Sequence, residues 1–193
     1  MEPEQKKIWD QIMNEWDSDN ISCHRLYAKL YTAKYPNDVF GWIALADALS
    51  KIAKYDEARD ALEKANLLSS KDHLHIVYHQ IGHLYKEKGD HPLAERWYRK
   101  AVEAKETTRN LIFLGACLAK QGKFTEAKKY HRKAIEVASD IPEEAYYNLG
   151  LIFNAEERFA DAYKCFNKAL DLDPEYTVAK DARADALKAL QIV

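Results

Sequence analysis

Cysteine, glycine and proline are scarce in this sequence, which contains 3, 6 and 5 of them among 193 residues. The cysteines Cys23, Cys117 and Cys165 are odd in number and scattered, which argues against a framework of disulfide bonds and indicates a reducing compartment. Glycine and proline are the residues that interrupt helices, so their scarcity favours long helical segments. With 47% hydrophobic and 31% charged residues, the composition favours a helix-rich globular protein.

A strong net charge and a long apolar run are also missing. The formal net charge of −2 creates no field that attracts nucleic acid or an anionic lipid surface, so neither is expected as a partner. No run of eighteen apolar residues occurs, so no membrane-spanning helix is expected. The amino-terminal residues MEPEQKK lack the apolar core of a secretory signal. We therefore expect a soluble cytoplasmic protein.

Motifs that carry known chemistries are absent as well. The chain has no GxSxG or HExxH sequence, no phosphate-binding loop and no dinucleotide fingerprint. Paired acids such as Glu143 and Glu144 fall near predicted helix ends, where solvation and the helix dipole account for them. We predict that the protein is not an enzyme and that it uses no cofactor.

What the sequence does contain is one pattern that occurs four times. Its shared alanines lie 36, 33 and 35 residues apart, and each is followed seven residues later by a second alanine. Self-similarity at this period is typical of helical repeat proteins, in which each unit buries its apolar face against a neighbour. The four copies are YDEARDALEKA (55–65), HPLAERWYRKA (91–101), FTEAKKYHRKA (124–134) and FADAYKCFNKA (159–169).

The segment before each copy repeats too, with apolar or aromatic residues around a glycine or alanine. These sets are Trp42, Leu45, Ala46, Leu49; Tyr78, Ile81, Gly82, Tyr85; Leu111, Leu114, Gly115, Leu118; and Tyr146, Leu149, Gly150, Phe153. Together the two patterns resemble the tetratricopeptide repeat, whose signature is W-x2-L-G-x2-Y followed by A-x3-F and P. The third copy departs from it, because His131 occupies the aromatic position.

The resemblance implies an all-α fold, a right-handed superhelix (α-solenoid) of helix-turn-helix repeats with about eleven helices. Gly89 and Gly122 lie between helices, where positive φ ends a first helix. The C-terminal helix is expected to cover the last unit with Val178, Ala182, Ala186, Leu187 and Leu190. The expected segments are a degenerate N-terminal hairpin (1–37), four units within 38–174 (39–72, 75–107, 108–142 and 143–174) and a capping helix (175–193).

The resemblance also implies where a partner binds, because one stripe of each first helix lines the concave groove of such proteins. Apolar, aromatic and imidazole groups suit an extended or helical peptide with apolar anchors. The stripe residues expected to form the binding groove are Phe40, Ile43, Asp47, Ile76, His79, His83, Lys86, Arg109, Ile112, Tyr147 and Leu151.

Histidines are concentrated in the segment HLHIVYHQIGH (73–83), where His75, His79 and His83 are spaced by four. At about 1.5 Å rise per residue, the first and last of the three lie roughly 12 Å apart along a helix. Because zinc–imidazole bonds are about 2.1 Å long, one ion cannot bind all three. An adjacent pair could bind an ion only with two further ligands from neighbouring helices, and candidates such as Asp47 and Glu144 lie a repeat or more away. We therefore predict no metal site. His79 and His83 are expected instead to face a ligand or solvent, which would make binding sensitive to pH between about 5 and 8.

These observations predict a non-catalytic protein–protein interaction module, a monomeric scaffold or adaptor that binds a peptide or a protein in its groove. One alternative is a sequestering protein, such as a secretion chaperone or an immunity-type inhibitor, that masks one folded partner. Another is a metal-dependent regulator that uses the histidine pair. The groove could also be filled by the N-terminal helix, on which Trp9 and Trp16 are expected to be exposed.

Overall fold

The computed structural model describes residues 2–17, 20–137 and 141–192, and within them it contains eleven α-helices and no β-strand. This confirms the predicted all-α class and the predicted number of helices. The helices are α1 (Pro3–Asp17), α2 (Ile21–Lys34), α3 (Val39–Lys51), α4 (Tyr55–Leu68), α5 (Leu74–Glu87), α6 (His91–Ala104), α7 (Thr108–Lys120), α8 (Phe124–Val137), α9 (Pro142–Ala155), α10 (Phe159–Leu172) and α11 (Thr177–Ile192).

The helices form two compact units, Met1–Ala104 and Lys105–Val193. In the first unit α1 packs against α2, α3 against α4 and α5 against α6, and the first helices α3 and α5 also touch each other. In the second unit α7 packs against α8 and α9 against α10, while α7 and α9 touch each other. The expected segment boundaries remain predictions. Residues 1, 18, 19, 138–140 and 193, which those segments include, lie outside the described residues.

In the hairpins α5/α6, α7/α8 and α9/α10, a ring of the second helix lies against a glycine of the first helix. A Cβ at Gly82 would come within 2.7 Å of the Tyr98 ring, and the ring of Phe166 lies at least as close to Gly150. Both rings are completely buried. The repeated glycine is therefore required because any side chain there would collide with the ring of the second helix.

The repeated alanines belong to the buried core of the hairpins. All eight are fully buried, which explains why larger apolar residues do not replace them. They are Ala58, Ala65, Ala94, Ala101, Ala127, Ala134, Ala162 and Ala169.

Four turns that follow a first helix share one backbone conformation with positive φ. The turn residues are Ala53 (φ 58°), Gly89 (80°), Gly122 (74°) and Glu157 (60°). In each turn the next residue donates its N–H to the carbonyl five positions earlier, as from Lys54 to Leu49 at 2.9 Å. This is the Schellman arrangement that ends many helices. The two glycines were predicted to play this role, whereas an alanine and a glutamate adopt the same strained conformation in the other two turns.

The N-terminal hairpin differs from the expectation in one respect, because its tryptophans are not exposed. Trp9 is partly buried with its ring 5.4 Å from the ring of Tyr31, and Trp16 lies 4.9 Å from His24. Both join the apolar core of the first unit. Apolar spacing on α1 thus reflects packing against α2.

The C-terminal helix packs with only part of the predicted face. Ala179 and Ala186 are buried, whereas Val178 and Leu187 are more than two-fifths exposed. Ala186 belongs to the cluster that contains Phe153 and Phe166. Of the predicted residues, Ala182 and Ala186 pack into this cluster, whereas the buried Ala179, seven residues before Ala186, was not predicted. Across the described residues, no helix is both long and apolar enough to cross a membrane.

Candidate partner-binding surfaces

The predicted stripe of the first unit is only partly accessible. Phe40 is 37% exposed, whereas Ile43 and His79 are 5% and 7% exposed. Ile76, His83 and Lys86 are partly buried. The Asp47 side chain is 8% exposed and forms an ion pair with Lys51 at 3.1 Å. Phe40 is therefore the apolar member of this stripe that is best placed to meet a partner.

Phe40 borders an open cleft of about 610 Å³ in the first unit. Its ring lies 5.4 Å from that of His73 and 6.5 Å from that of Trp9, both in edge-on orientation. Four of its nine lining residues come from the loop between α2 and α3, which the sequence reasoning did not include. The lining residues are Gln5, Lys34, Tyr35, Pro36, Asn37, Asp38, Val39, Phe40 and His73.

We name this cleft the α3 cleft. A hydrogen-bonded network fixes one of its walls. The Tyr31 hydroxyl donates to Asp38 Oδ2 at 2.6 Å, and Gln5 Nε2 donates to the same oxygen at 3.1 Å. Asp38 Oδ1 accepts the backbone N–H of Phe40 at 2.9 Å and so caps α3. Burial, followed by the hydrogen bond to Asp38, raises the pKa of Tyr31 above its usual range. The phenol therefore remains a proton donor, and the cleft has a fixed wall.

The histidine stripe on α5 does not form a uniform imidazole surface. His79 is buried with its ring 5.6 Å from that of Tyr98, edge to face. His83 Nε2 lies 3.7 Å from Glu87. Burial lowers the pKa of His83, nearby Lys86 lowers it further, and Glu87 and Asp47 oppose the shift. Its titration is therefore displaced toward the acid end of the predicted pH window.

The arrangement offers no evident metal centre. Among the residues that the structure describes, no group of three or more histidine, cysteine, aspartate or glutamate side chains is placed to hold an ion. The hypothesis of a metal-dependent regulator therefore has no support from the geometry.

The predicted stripe of the second unit contains one exposed apolar side chain, Leu151, which is 39% exposed. Ile112 is completely buried, Arg109 is exposed and Tyr147 is partly buried. Leu151 borders a pocket of about 190 Å³ between α7 and α9, which we name the α7/α9 pocket. The lining residues are Ala116, Ala119, Lys120, Asn148, Leu151 and Ile152.

Tyr147 is held in place by other rings. Its ring lies 5.9 Å from that of Phe166 and 5.4 Å from that of Tyr176. Burial, and then the charge of Glu144, raises the pKa of Tyr176 to about 12. Tyr147 is thus part of a fixed aromatic cluster beside the stripe.

Cations of the second unit fall into two groups. Lys128 is paired with Glu156 at 2.5 Å, and Lys133 is paired with Glu106. By contrast, Lys120 and Arg109 have no ion-pair partner among residues 105–137 and 141–192. The unbalanced positive charge of this unit's stripe therefore lies on α7.

A third cavity, of about 160 Å³, lies between α4, α5 and α6. Its two charged lining residues, Arg59 and Glu63, form an ion pair at 3.8 Å. Sequence reasoning did not identify this cavity, whose wall includes Trp97 and whose floor includes Ile81 and Leu84.

Comparisons with known proteins agree with the helical architecture. Models described as tetratricopeptide repeat match residues 41–72, 76–108 and 106–175. The TPR repeat-containing protein MJ1428 of Methanocaldococcus jannaschii is 29% identical over 154 residues, which are 80% of this chain but 27% of that protein. The chain thus spans about a quarter of that relative's length.

Two solved structures show the same fold at low sequence identity. YrrB, described as a TPR protein with an unusual peptide-binding site, is 20% identical with a TM-score of 0.63, covering 90% of this chain and 88% of that one. TTC0263, a thermophilic TPR protein in Thermus thermophilus, is 14% identical with a TM-score of 0.74, covering 95% and 98%.

Proposed function

Because the chain belongs to the tetratricopeptide repeat family, we propose that it is a non-catalytic interaction module that binds a peptide or a protein along its first-helix stripes. The fold supports a protein-interaction scaffold in general, and the choice of these stripes is specific to this proposal.

The observation that carries the proposal is the same in both units: an exposed apolar side chain of the stripe borders an open cavity. Phe40 does so at the α3 cleft, and Leu151 does so at the α7/α9 pocket. Apolar side chains beside a concave site with a few fixed polar groups are typical of binding sites. A fold-level likeness to YrrB, a protein with a peptide-binding site, adds an argument by analogy.

The exposed and the buried residues of the stripes would have different roles. The exposed members Phe40, Leu151 and Arg109 would contact the partner. The buried members Ile43, His79 and Ile112 would hold the first helices in register. Partly buried His83 and Lys86 would contribute polar contacts at the edge.

The proposal places the module in the cytoplasm as a monomer. The cytoplasmic location is supported by Cys23, Cys117 and Cys165, which are all free thiols. An adaptor would bind several partners that share a short motif, whereas a sequestering protein would bind one folded partner tightly.

Site-specific photocrosslinking tests this proposal. A benzophenone amino acid replaces Phe40 or Leu151 in separate variants, and it replaces Leu67 as a matched control. Leu67 is 84% exposed and lies on α4, outside both stripes. Each variant is first checked by circular dichroism and then irradiated in lysate of the source cell.

We expect protein adducts at residues 40 and 151 that are absent or much weaker at residue 67. One dominant stoichiometric adduct would identify a sequestering protein, and several adducts sharing a motif would identify an adaptor. Equal adduct profiles at the three positions would show that the stripes are not the binding surface.

A further inference from the structure

The α7/α9 pocket has the size and lining of a receptor for one apolar side chain. Ala116 and Ala119 contribute only methyl groups, and Ile152 is 2% exposed. A volume of about 190 Å³ slightly exceeds the cavities of about 150 Å³ that accommodate benzene in other proteins. The pocket exists because two short side chains face Leu151 across the gap between α7 and α9.

Of the six residues that line this pocket, Lys120 is the one that carries a charge. Asn148 is oriented by donating its side-chain amide to the carbonyl of Glu144 at 2.9 Å. Lys120 lines the pocket, is exposed, and has no carboxylate partner in the described part of the second unit. Glu156, which directly follows α9, is already paired with Lys128. The charge of Lys120 is therefore available to a carboxylate from outside.

Arg109 adds a second unbalanced cation on the same helix. It precedes Lys120 by eleven residues, which corresponds to about 16 Å along α7. An extended chain covers this distance in about five residues. A ligand that contacts both cations therefore needs acidic residues about five positions apart.

We propose that the α7/α9 pocket binds an acidic segment of a partner protein, with one apolar side chain of that segment seated between Ala116, Ala119 and Leu151. A carboxylate beside this side chain pairs with Lys120, and a second carboxylate about five residues away pairs with Arg109. This inference rests on the proposed function, because it names the chemistry of the ligand for one of the two stripes. Charge complementarity selects an acidic segment over a basic one.

The test begins with a display library of random peptides selected on the full chain. We expect enriched sequences that combine aspartate or glutamate with leucine, isoleucine or phenylalanine. One enriched peptide is then synthesised with a fluorescent label and titrated against wild type and variants by fluorescence anisotropy. Its affinity should fall as salt rises from about 0.05 M to about 0.5 M, because salt screens exposed ion pairs.

Two pocket variants and one charge variant are compared with wild type, and the charge variant has a matched control. Ala116→Leu fills the pocket, and Leu151→Ser removes an exposed wall whose loss leaves the core intact. Lys120→Glu reverses the charge at the pocket, and Lys164→Glu makes the same change on the exposed face of α10. Circular dichroism and thermal unfolding establish that each variant is folded.

We expect Lys120→Glu to weaken binding about five- to tenfold, from the loss of one exposed ion pair and the added repulsion. Ala116→Leu and Leu151→Ser should weaken binding at least as much, and Lys164→Glu should leave it unchanged. Peptides that bind equally well to all four variants, or that are basic, would overturn the inference and leave the proposed function standing. Absence of any enriched peptide would also overturn it, while the crosslinking at residues 40 and 151 decides the proposed function separately.

Discussion

The imidazole of His131 lies against the backbone of Gly115, so close that a Cβ on residue 115 would stand 2.7 Å from Nε2. The ring is completely buried, and neither of its nitrogens has a hydrogen-bond partner among the described residues. In the hairpin of α9 and α10 the corresponding ring is Phe166. The α7/α8 hairpin thus closes with a polar ring in an environment suited to an apolar one.

Gly115→Ala should destabilise the protein because the new methyl group has no room beside a ring that the core holds in place. Overpacking of this kind costs about 1–3 kcal/mol, and the better helix propensity of alanine returns about 0.5–1 kcal/mol. We expect a net loss of about 1–2 kcal/mol in the free energy of unfolding, measured in urea by circular dichroism. In a His131→Ala background the same glycine substitution should be neutral or stabilising. An equal loss in both backgrounds would show that the ring is not the obstacle.

His131→Phe should stabilise the protein, because it removes two buried nitrogens that lack partners. Replacing such a group by an apolar one of similar shape gains about 1–2 kcal/mol at neutral pH. Urea unfolding at pH 7 measures this gain. His73→Phe, at an exposed position before α5, is the control and should have little effect on stability.

The gain from His131→Phe should also depend on pH. Burial lowers the pKa of His131 from 6.5 to about 4, so the unfolded chain binds a proton that the folded chain rejects between these values. The contribution of the uncharged His131 to the free energy of unfolding is therefore fully present above pH 6.5. It is lost as the pH falls toward 4, by up to about 3 kcal/mol. The phenylalanine variant lacks this loss, so its advantage should widen on acidification. A constant difference between pH 7 and pH 4.5 would contradict the burial of an uncharged imidazole.

Asp38→Ala should destabilise the first unit more than removal of an exposed acid does. Asp38 caps α3 and accepts the hydroxyl hydrogen bond of Tyr31, a completely buried residue. Loss of a cap costs about 1 kcal/mol, and a buried hydroxyl that loses its acceptor adds about 1–2 kcal/mol. We expect a total of about 2–3 kcal/mol in urea unfolding. Asp60→Ala, on the exposed face of α4, is the control and should change stability by less than about 0.5 kcal/mol.

Ala53→Gly should stabilise the protein although it removes a side chain. Alanine at φ 58° is strained, because its Cβ meets the backbone in the left-handed region at a cost of about 1–2 kcal/mol. Glycine avoids this strain but has a more flexible unfolded state, which offsets about 0.4–1 kcal/mol. We expect a net gain of about 0.5–1 kcal/mol by thermal or urea unfolding. Ala184→Gly, at an exposed helical position of α11, is the matched comparison and should be destabilising; a loss at both positions would contradict the strain at residue 53.

The repeat pattern was sufficient to predict the helices because the residues that define them are the most buried ones. Alanines at fixed spacing and glycines opposite a ring occupy positions with no alternative, so their periodicity is directly visible in the sequence. Turn conformation was predictable only where glycine marks it. At Ala53 and Glu157 the same backbone is imposed by the hairpin, and nothing in the local sequence indicates it.

The candidate surfaces were harder to predict because they depend on distances between elements. A helical stripe indicates which side chains share a face, but it does not show how far a neighbouring helix covers them. Ile112 and His79 are therefore buried although they belong to the same stripes as Leu151 and Phe40. The α3 cleft combines Gln5, a loop and His73, which are separated by up to 68 positions, and no periodic signal connects them.

The four backbone-closed turns have a consequence for how the chain can be altered. Because main-chain hydrogen bonds close each turn, and rings against small residues close three of the hairpins, the exposed stripe contributes little to holding the helices together. Residues such as Phe40, Leu151 and Lys120 can then be exchanged without loss of architecture. The chain is suited to engineering, since new recognition specificities can be grafted onto it while its framework is kept constant.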